Sequence, residues 1–302
     1  MRIVTRPDFD GIVCAALLLE AEDNDMDIFW AEPSEIQAGG PKTKDVGIKD
    51  GDIIANLPWH PDCSMWFDHH ISNKPDQPVA GAFDIAPSAA GVVYEYYKAR
   101  GKLDNRFDEL ILNTDMIDSA DLTADQVGSP QDYPYFILSM TIQNHAYKDI
   151  PYWNRLIQML RQLPMDKIMA DPEVKDRCQA VVEENNAFSH HLTEHTTLKG
   201  DVSVTDFRAL EKVPSGNRFL TYSLFPQTYA SVKIRYLDAK KDRVLLSVGH
   251  SIFNRECRVN VGKLLSQFGG GGHAGAGGCT LKVATAQENI DQILEIMMAN
   301  KA

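Results

Sequence analysis

Short apolar runs and longer helical runs alternate along the first part of the chain. MRIVTRP is a β-type run; DFDG after it has turn chemistry, and IVCAALLLEAE is Ala/Leu-rich and apolar, which predicts a buried helix. DIFWAEP, DIIANLP and CSMWFDHH read as further short strands, closing on polar residues or proline. AAGVVYEYYKAR and FDELILNTDMIDSA read as helices. This alternation predicts a parallel sheet in an α/β domain, where functional residues gather at the carboxyl ends of the strands. Asp8, Asn56 and Asp68 all follow predicted strands.

The remaining pattern divides in three. Residues 130–165, rich in aromatics and proline (QDYPYFILSM, DIPYWNRLI), read as a helical insertion that closes a first domain at 1–165. Residues 166–199 are mostly helical and polar, a linker. Residues 200–302 form a smaller α/β domain with strands DVSVTDF, RFLTYSLF, YASVKIRYL and DRVLLSVGH, the helix VNVGKLLSQF, a glycine run, the strand GCTLKV and the helix ENIDQILEIMMANK.

Composition narrows the setting. The chain has 302 residues, 44% of them hydrophobic, enough for two cores. No apolar stretch approaches the roughly 20 residues of a membrane span, and the first residues lack a signal-peptide apolar core. The five cysteines are scattered without a CxxC pair, so a cytoplasmic chain with reduced thiols is expected. The net charge of −12 is uneven: residues 1–230 hold 20 Lys/Arg against 36 Asp/Glu, and residues 231–273 hold 8 against 3. Such a chain is a poor partner for long duplex nucleic acid, but its basic segment suits a small phosphorylated ligand.

Three segments carry chemistry. Asp8 and Asp10, two residues apart in one turn, can face one hard cation or two, or can serve as turn formers and a helix cap. Asp68-His69-His70 ends an apolar strand, and carboxylate with imidazole suits Mn, Fe, Co or Zn. Gly269 to Gly272 with His273 lies between a helix and a strand. There, residues without side chains can expose backbone N–H groups to an anion.

Together, TRPDFDGIVCAALL, WFDHH and FGGGGHAGAGG resemble the DHH phosphoesterase superfamily with its DHH-associated C-terminal domain, over nearly the whole chain. The resemblance implies a parallel-sheet domain and a smaller α/β domain with an active-site cleft between them. It also implies Mn-type ions and water activated to attack phosphorus. By position, Asp8, Asp10 and His69 would be metal ligands, Asp68 would orient the triplet and His70 would face the phosphate. In LNTDMIDSAD, both Asp115 and Asp118 could supply the later acidic ligand, with Asp115 preferred. Gly270, Gly271, Gly272 and His273 would bind phosphate or nucleotide, with Arg255 or Arg258 as partners.

Two positions depart from the family pattern. Arg6 stands where close relatives have a histidine ligand, and Asn56 where they have an aspartate bridging both ions. Arginine cannot ligate a cation and a neutral amide is a weaker ligand. One ion at His69 is therefore expected, two being the family number, with Arg6 as a positive charge beside Asp8 and His60 as a candidate replacement ligand. The expected function is metal-dependent hydrolysis of a small phosphoester or short oligonucleotide. The alternative is a catalytically impaired member that binds a nucleotide or phosphorylated metabolite. The aromatic segment 133–153 is open to being core or a homodimer interface.

Overall fold

The computed structural model describes residues 1–22, 26–36, 46–143 and 147–301. The first unit comprises Met1–Asp121 and Tyr133–Gln179. Its strands β1 (Arg2–Thr5), β2 (Asp27–Trp30), β3 (Asp52–Ala55), β4 (Met65–Asp68) and β5 (Gly81–Phe83) form one sheet in the order β2-β1-β3-β4-β5. All neighbours are parallel. Both sheet faces are buried, as parallel sheets require. Val4, Ile54 and Trp66 stand in register on one face and pack with Ala31, Ile36 and Leu57.

On the other face Phe67 packs against Tyr96 and Tyr97 of helix α3 (Ala89–Lys98). Helix α1 (Phe9–Ala21) is buried at every residue but Glu20, which accounts for its uniformly apolar sequence. Each of its leucines is worth roughly 1.5–3 kcal/mol on burial. The helix begins earlier than the sequence suggests: Phe9, Asp10 and Gly11 are helical, and Asp8 is the N-cap. The unit also holds α2 (Pro33–Ile36), α4 (Asp108–Asp118), α6 (Pro134–Met140), α7 (Ile150–Gln162) and α8 (Met165–Met169), and α5 (Ala124–Gly128) falls between α4 and α6 in sequence. Among the described residues no helix is long and apolar enough to cross a membrane.

The second unit comprises Leu122–Asp132, with α5, and Ala180–Ala302; helix α9 (Pro172–His195) begins in the first unit and ends in the second. Its strands are β6 (Thr196–Lys199), β7 (Val202–Asp206), β8 (Ala230–Tyr236), β9 (Arg243–His250), β10 (Gly271–Gly272) and β11 (Ala276–Lys282), in the order β10-β11-β9-β8-β7-β6. Only β7 and β8 pair in parallel. One face of this sheet joins α11 (Val261–Ser266) and α12 (Val283–Ala299) in an apolar core that includes Val232, Leu246, Leu265 and Ile293.

Three local features differ from the sequence pattern. RFLTYSLF, expected as a strand, contains the helix α10 (Leu220–Leu224). Asn217 Oδ1 accepts the Phe219 N–H at 3.0 Å, and this side-chain bond starts a helical turn instead of a strand. The helix expected through residue 198 stops at His195, because Thr196–Lys199 pairs with β7 and the Thr196 and Thr205 hydroxyls meet at 2.8 Å. The short strands β5 and β10, built from small residues, had no apolar pattern to reveal them.

Candidate metal centre

The register of the first sheet brings its chemistry to one edge. β1 leads to Asp8, β3 to Asn56, β4 ends at Asp68, and β5 leads to Ala86 and Ser88. Asp8 caps α1 through Gly11 N–H at 2.9 Å. Asp10, 2% exposed, reaches the N-terminus of α3, where its oxygens accept the N–H groups of Ala89 (3.0 Å) and Ala90 (2.8 Å). A helix N-terminus favours an anion, so α3 fixes this carboxylate. Ser88 caps α3 through Gly91 N–H and donates its hydroxyl to Asp115 at 2.5 Å. At Gly11 a Cβ would lie 2.0 Å from the Arg6 carbonyl oxygen, so only glycine lets the chain turn this tightly.

Asp68 is fully buried and saturated with hydrogen bonds. Its Oδ1 accepts His69 N–H (2.8 Å) and His70 Nδ1–H (2.8 Å), and its Oδ2 accepts the Asn73 amide (2.7 Å). These bonds fix the backbone at His69 and the ring of His70. His70 keeps one ring nitrogen for other partners, and its side chain is 41% exposed. The Asp68 hydrogen bond raises the His70 pKa above the ordinary value, against the opposing effect of burial.

His69 turns the other way. Its Nδ1 meets Ala86 O at 2.9 Å, while Nε2 lies 3.4 Å from Asp118 Oδ2. One donor atom each from Asp10, His69 and Asp118 falls within 4.8 Å of the others. Burial first, then the charges of Asp118 and Asp8, pushes the Asp10 pKa well up. Burial and the Asp8 charge push Asp118 to about 6. Asp115, three residues earlier, is bound to Ser88 instead, and burial raises its pKa also.

Asp8 stands apart from that trio and has its own partners. Asn56, in the left-handed region at φ 55°, donates its amide to Asp8 Oδ1 at 3.0 Å, and Arg6 Nε lies 3.3 Å from Asp8 Oδ2. Burial outweighs these contacts, so the Asp8 pKa is raised. His60 faces Asp62, with the Asp62 N–H on its Nδ1 at 3.3 Å, and joins no group of metal donors among the described residues.

The remaining sequence candidates belong to the second unit. The glycine run is a hairpin in which Gly271 pairs with Gly278 and Gly272 with Gly277. Gly270 N–H donates to Leu265 O (2.9 Å) and His273 N–H to Ala276 O (2.8 Å), so neither is open to an anion. The glycines have a packing reason: a Cβ on Gly262 would sit 2.3 Å from Gly272 O, and one on Gly270 2.3 Å from Gly278 O. The imidazole of His273, Arg255 and Arg258 lie on exposed residues.

Lys233 was not singled out in the sequence. It stands on the polar face of the second sheet, in register with Thr205 on one side and Ser247 on the other, and Ser247 in turn pairs with Gly278. Burial, with Arg235 nearby, lowers its pKa. Its signal was the alternation of ASVKIRY, which places Ser231, Lys233 and Arg235 on one face. Ser88 and Ala86 were missed as well; a serine ahead of AAGVVYEYYK is a legible helix cap.

The sequence matches no family model and no curated protein. Among solved structures, the pGpG-specific phosphodiesterase PggH of Vibrio cholerae superposes with a TM-score of 0.87 at 30% identity, over 99% of both chains. The chain belongs to the DHH phosphoesterase family. More remote matches share the fold. An exopolyphosphatase-related protein of Bacteroides fragilis gives a TM-score of 0.56 at 13% identity, over 99% of this chain and 93% of that one. The exonuclease RecJ bound to manganese gives 0.56 at 11%, over 100% and 90%.

As a DHH member the chain is a metal-dependent phosphoric ester hydrolase. Its residues fit a divalent cation. His69 Nε2 is buried without a hydrogen-bond partner among the described residues, and two carboxylates lie beside it. A buried nitrogen left unpaired is costly, and one imidazole with two carboxylates is a donor set for a first-row divalent ion.

Proposed function

We propose that this DHH hydrolase cleaves a linear dinucleotide of the pGpG kind, using one divalent ion, Mn, held by Asp10, His69 and Asp118. The substrate class rests on the PggH match, which spans 99% of both chains at 30% identity. The ion rests on the unpaired, buried His69 Nε2 beside two carboxylates, the observation that carries the reading. One ion instead of two is favoured because Arg6 and Asn56 already contact Asp8, one by an ion pair and one by a hydrogen bond. Arg6 supplies at Asp8 the positive charge that a second cation would bring.

The bound cation polarises phosphoryl oxygens and acidifies water. The protein's own groups do the rest. Asp68 holds His70 by Nδ1 and raises its pKa, so in the protonated ring the other nitrogen donates to a phosphoryl oxygen or passes its proton to the leaving oxygen. The helix cap at Ser88 and the N–H groups of Ala89 and Ala90 hold Asp10 in place, so little reorganisation is needed on reaction. The five free cysteines suit a reducing, cytoplasmic setting.

The test is hydrolysis of pGpG, other dinucleotides, longer RNA and polyphosphate by purified protein with Mn added, beside a count of bound metal. Preferential cleavage of pGpG, lost in His69→Ala, supports the proposal. Equal cleavage of long RNA and pGpG would overturn the substrate assignment, and two tightly bound Mn per chain would overturn the single ion.

A further inference from the structure

The end of α9 carries His190, His191, Glu194 and His195 within six residues. Helical positions four apart share a face, so the rings of His191 and His195 lie one above the other. Their centroids are 6.2 Å apart and their planes are tilted by 26°. One donor atom from each of His191, Glu194 and His195 lies within 4.8 Å of the other two. The His195 ring is braced edge-on against Phe207, with centroids 5.9 Å apart.

Ordinary packing accounts for only part of this. Glu194 pairs with His190, Nε2 to Oε1 at 3.2 Å, a common contact one helical turn apart. That pair leaves His191 unexplained: its Nδ1 is buried and has no hydrogen-bond partner among the described residues. His191, with a ring nitrogen buried and unpartnered, stands beside a second imidazole and a carboxylate, a set of donors that a lone-pair acceptor would satisfy.

We propose that His191, Glu194 and His195 form a second cation site, built from residues outside the catalytic centre, that takes a zinc-class divalent ion. Two imidazoles and one carboxylate suit Zn, Co or Ni, and three protein ligands leave a fourth position for water. Mg and Ca, which prefer oxygen donors, are poor occupants. The ion ties the last turn of α9 in place directly before β6, so it acts as a structural clamp on the second unit.

The experiment uses the full chain, stripped of metal and given saturating Mn. Zinc is titrated in and bound zinc is counted after gel filtration. His191→Gln and His195→Gln each bind one zinc fewer than the wild type, and Glu194→Gln, altered on an exposed side chain, binds that zinc at least about tenfold more weakly. All three keep Mn-dependent phosphoester hydrolysis, which also reports that they fold. His69→Ala retains the zinc that the helix variants lose. Equal zinc content and affinity in the wild type and the helix variants would overturn the site, as would loss of that zinc in His69→Ala. Neither result depends on which phosphoester the catalytic centre cleaves.

Discussion

His69 Nδ1 lies 2.9 Å from the carbonyl oxygen of Ala86. A carbonyl only accepts, so Nδ1 carries the hydrogen and the neutral ring keeps its lone pair on Nε2, the atom 3.4 Å from Asp118. The loop after β5 thus selects the tautomer that a metal needs. His69→Ala is expected to lose the bound Mn and to lower turnover by more than the roughly 10–100-fold typical of an outer-shell change. Metal counting on the purified variant checks it; full Mn occupancy would remove His69 from the ligand set.

Asp115 and Asp118 divide the work on α4. Asp118 sits with His69 and Asp10, whereas Asp115 accepts the Ser88 hydroxyl and so supports the helix end that holds Asp10. Asp118→Asn should therefore abolish Mn binding. Asp115→Asn should keep the ion and lose about 10–100-fold in affinity or rate. Ser88→Ala should resemble Asp115→Asn. The reverse order of severity would make Asp115 the ligand.

Much of this centre was legible because its residues follow short apolar runs that stop abruptly. Asp8, Asn56 and the Asp68-His69-His70 run could be placed on one sheet edge from strand ends alone. The choice between Asp115 and Asp118 could not be read, since both lie near the end of one helix and only tertiary proximity separates them. The Asp115 carboxylate is engaged by Ser88, a contact that the sequence does not reveal. The glycine run was legible as special but not as a hairpin, because close backbone approach to Gly262 and Gly278 is a tertiary fact. RFLTYSLF misled for a local reason, the Asn217 side chain that starts a helical turn.

Arg6 and Asn56 make a direct prediction about ion number. Both contact Asp8, Arg6 at 3.3 Å and Asn56 at 3.0 Å, and they occupy the side of Asp8 that a second cation would need. The double variant Arg6→His with Asn56→Asp replaces a cation and an amide by two ligands around Asp8. It should bind a second Mn where the wild type binds one, detectable as spin coupling between the ions. If the double variant still binds one, the two residues do not set the ion count.

Protons and metal compete at the catalytic centre. Asp118, its pKa pushed up to about 6 by burial and by the Asp8 charge, holds its proton in the metal-free fold well above the ordinary carboxylate range. Burial, with the charges of Asp118 and Asp8, drives Asp10 up as well. For an acid whose folded pKa is raised, the folded state binds the proton more tightly. The metal-free chain therefore loses stability from Asp118 as pH rises from about 4 through about 6, and Asp10 acts in the same direction. A bound cation reverses that penalty by stabilising the ionised form. The rise in Tm caused by Mn should then be large at pH 7.5 and small at pH 5.5. In Asp118→Asn both that rise and its pH dependence should shrink. An equal Mn effect at the two pH values would show that the ion does not displace these protons.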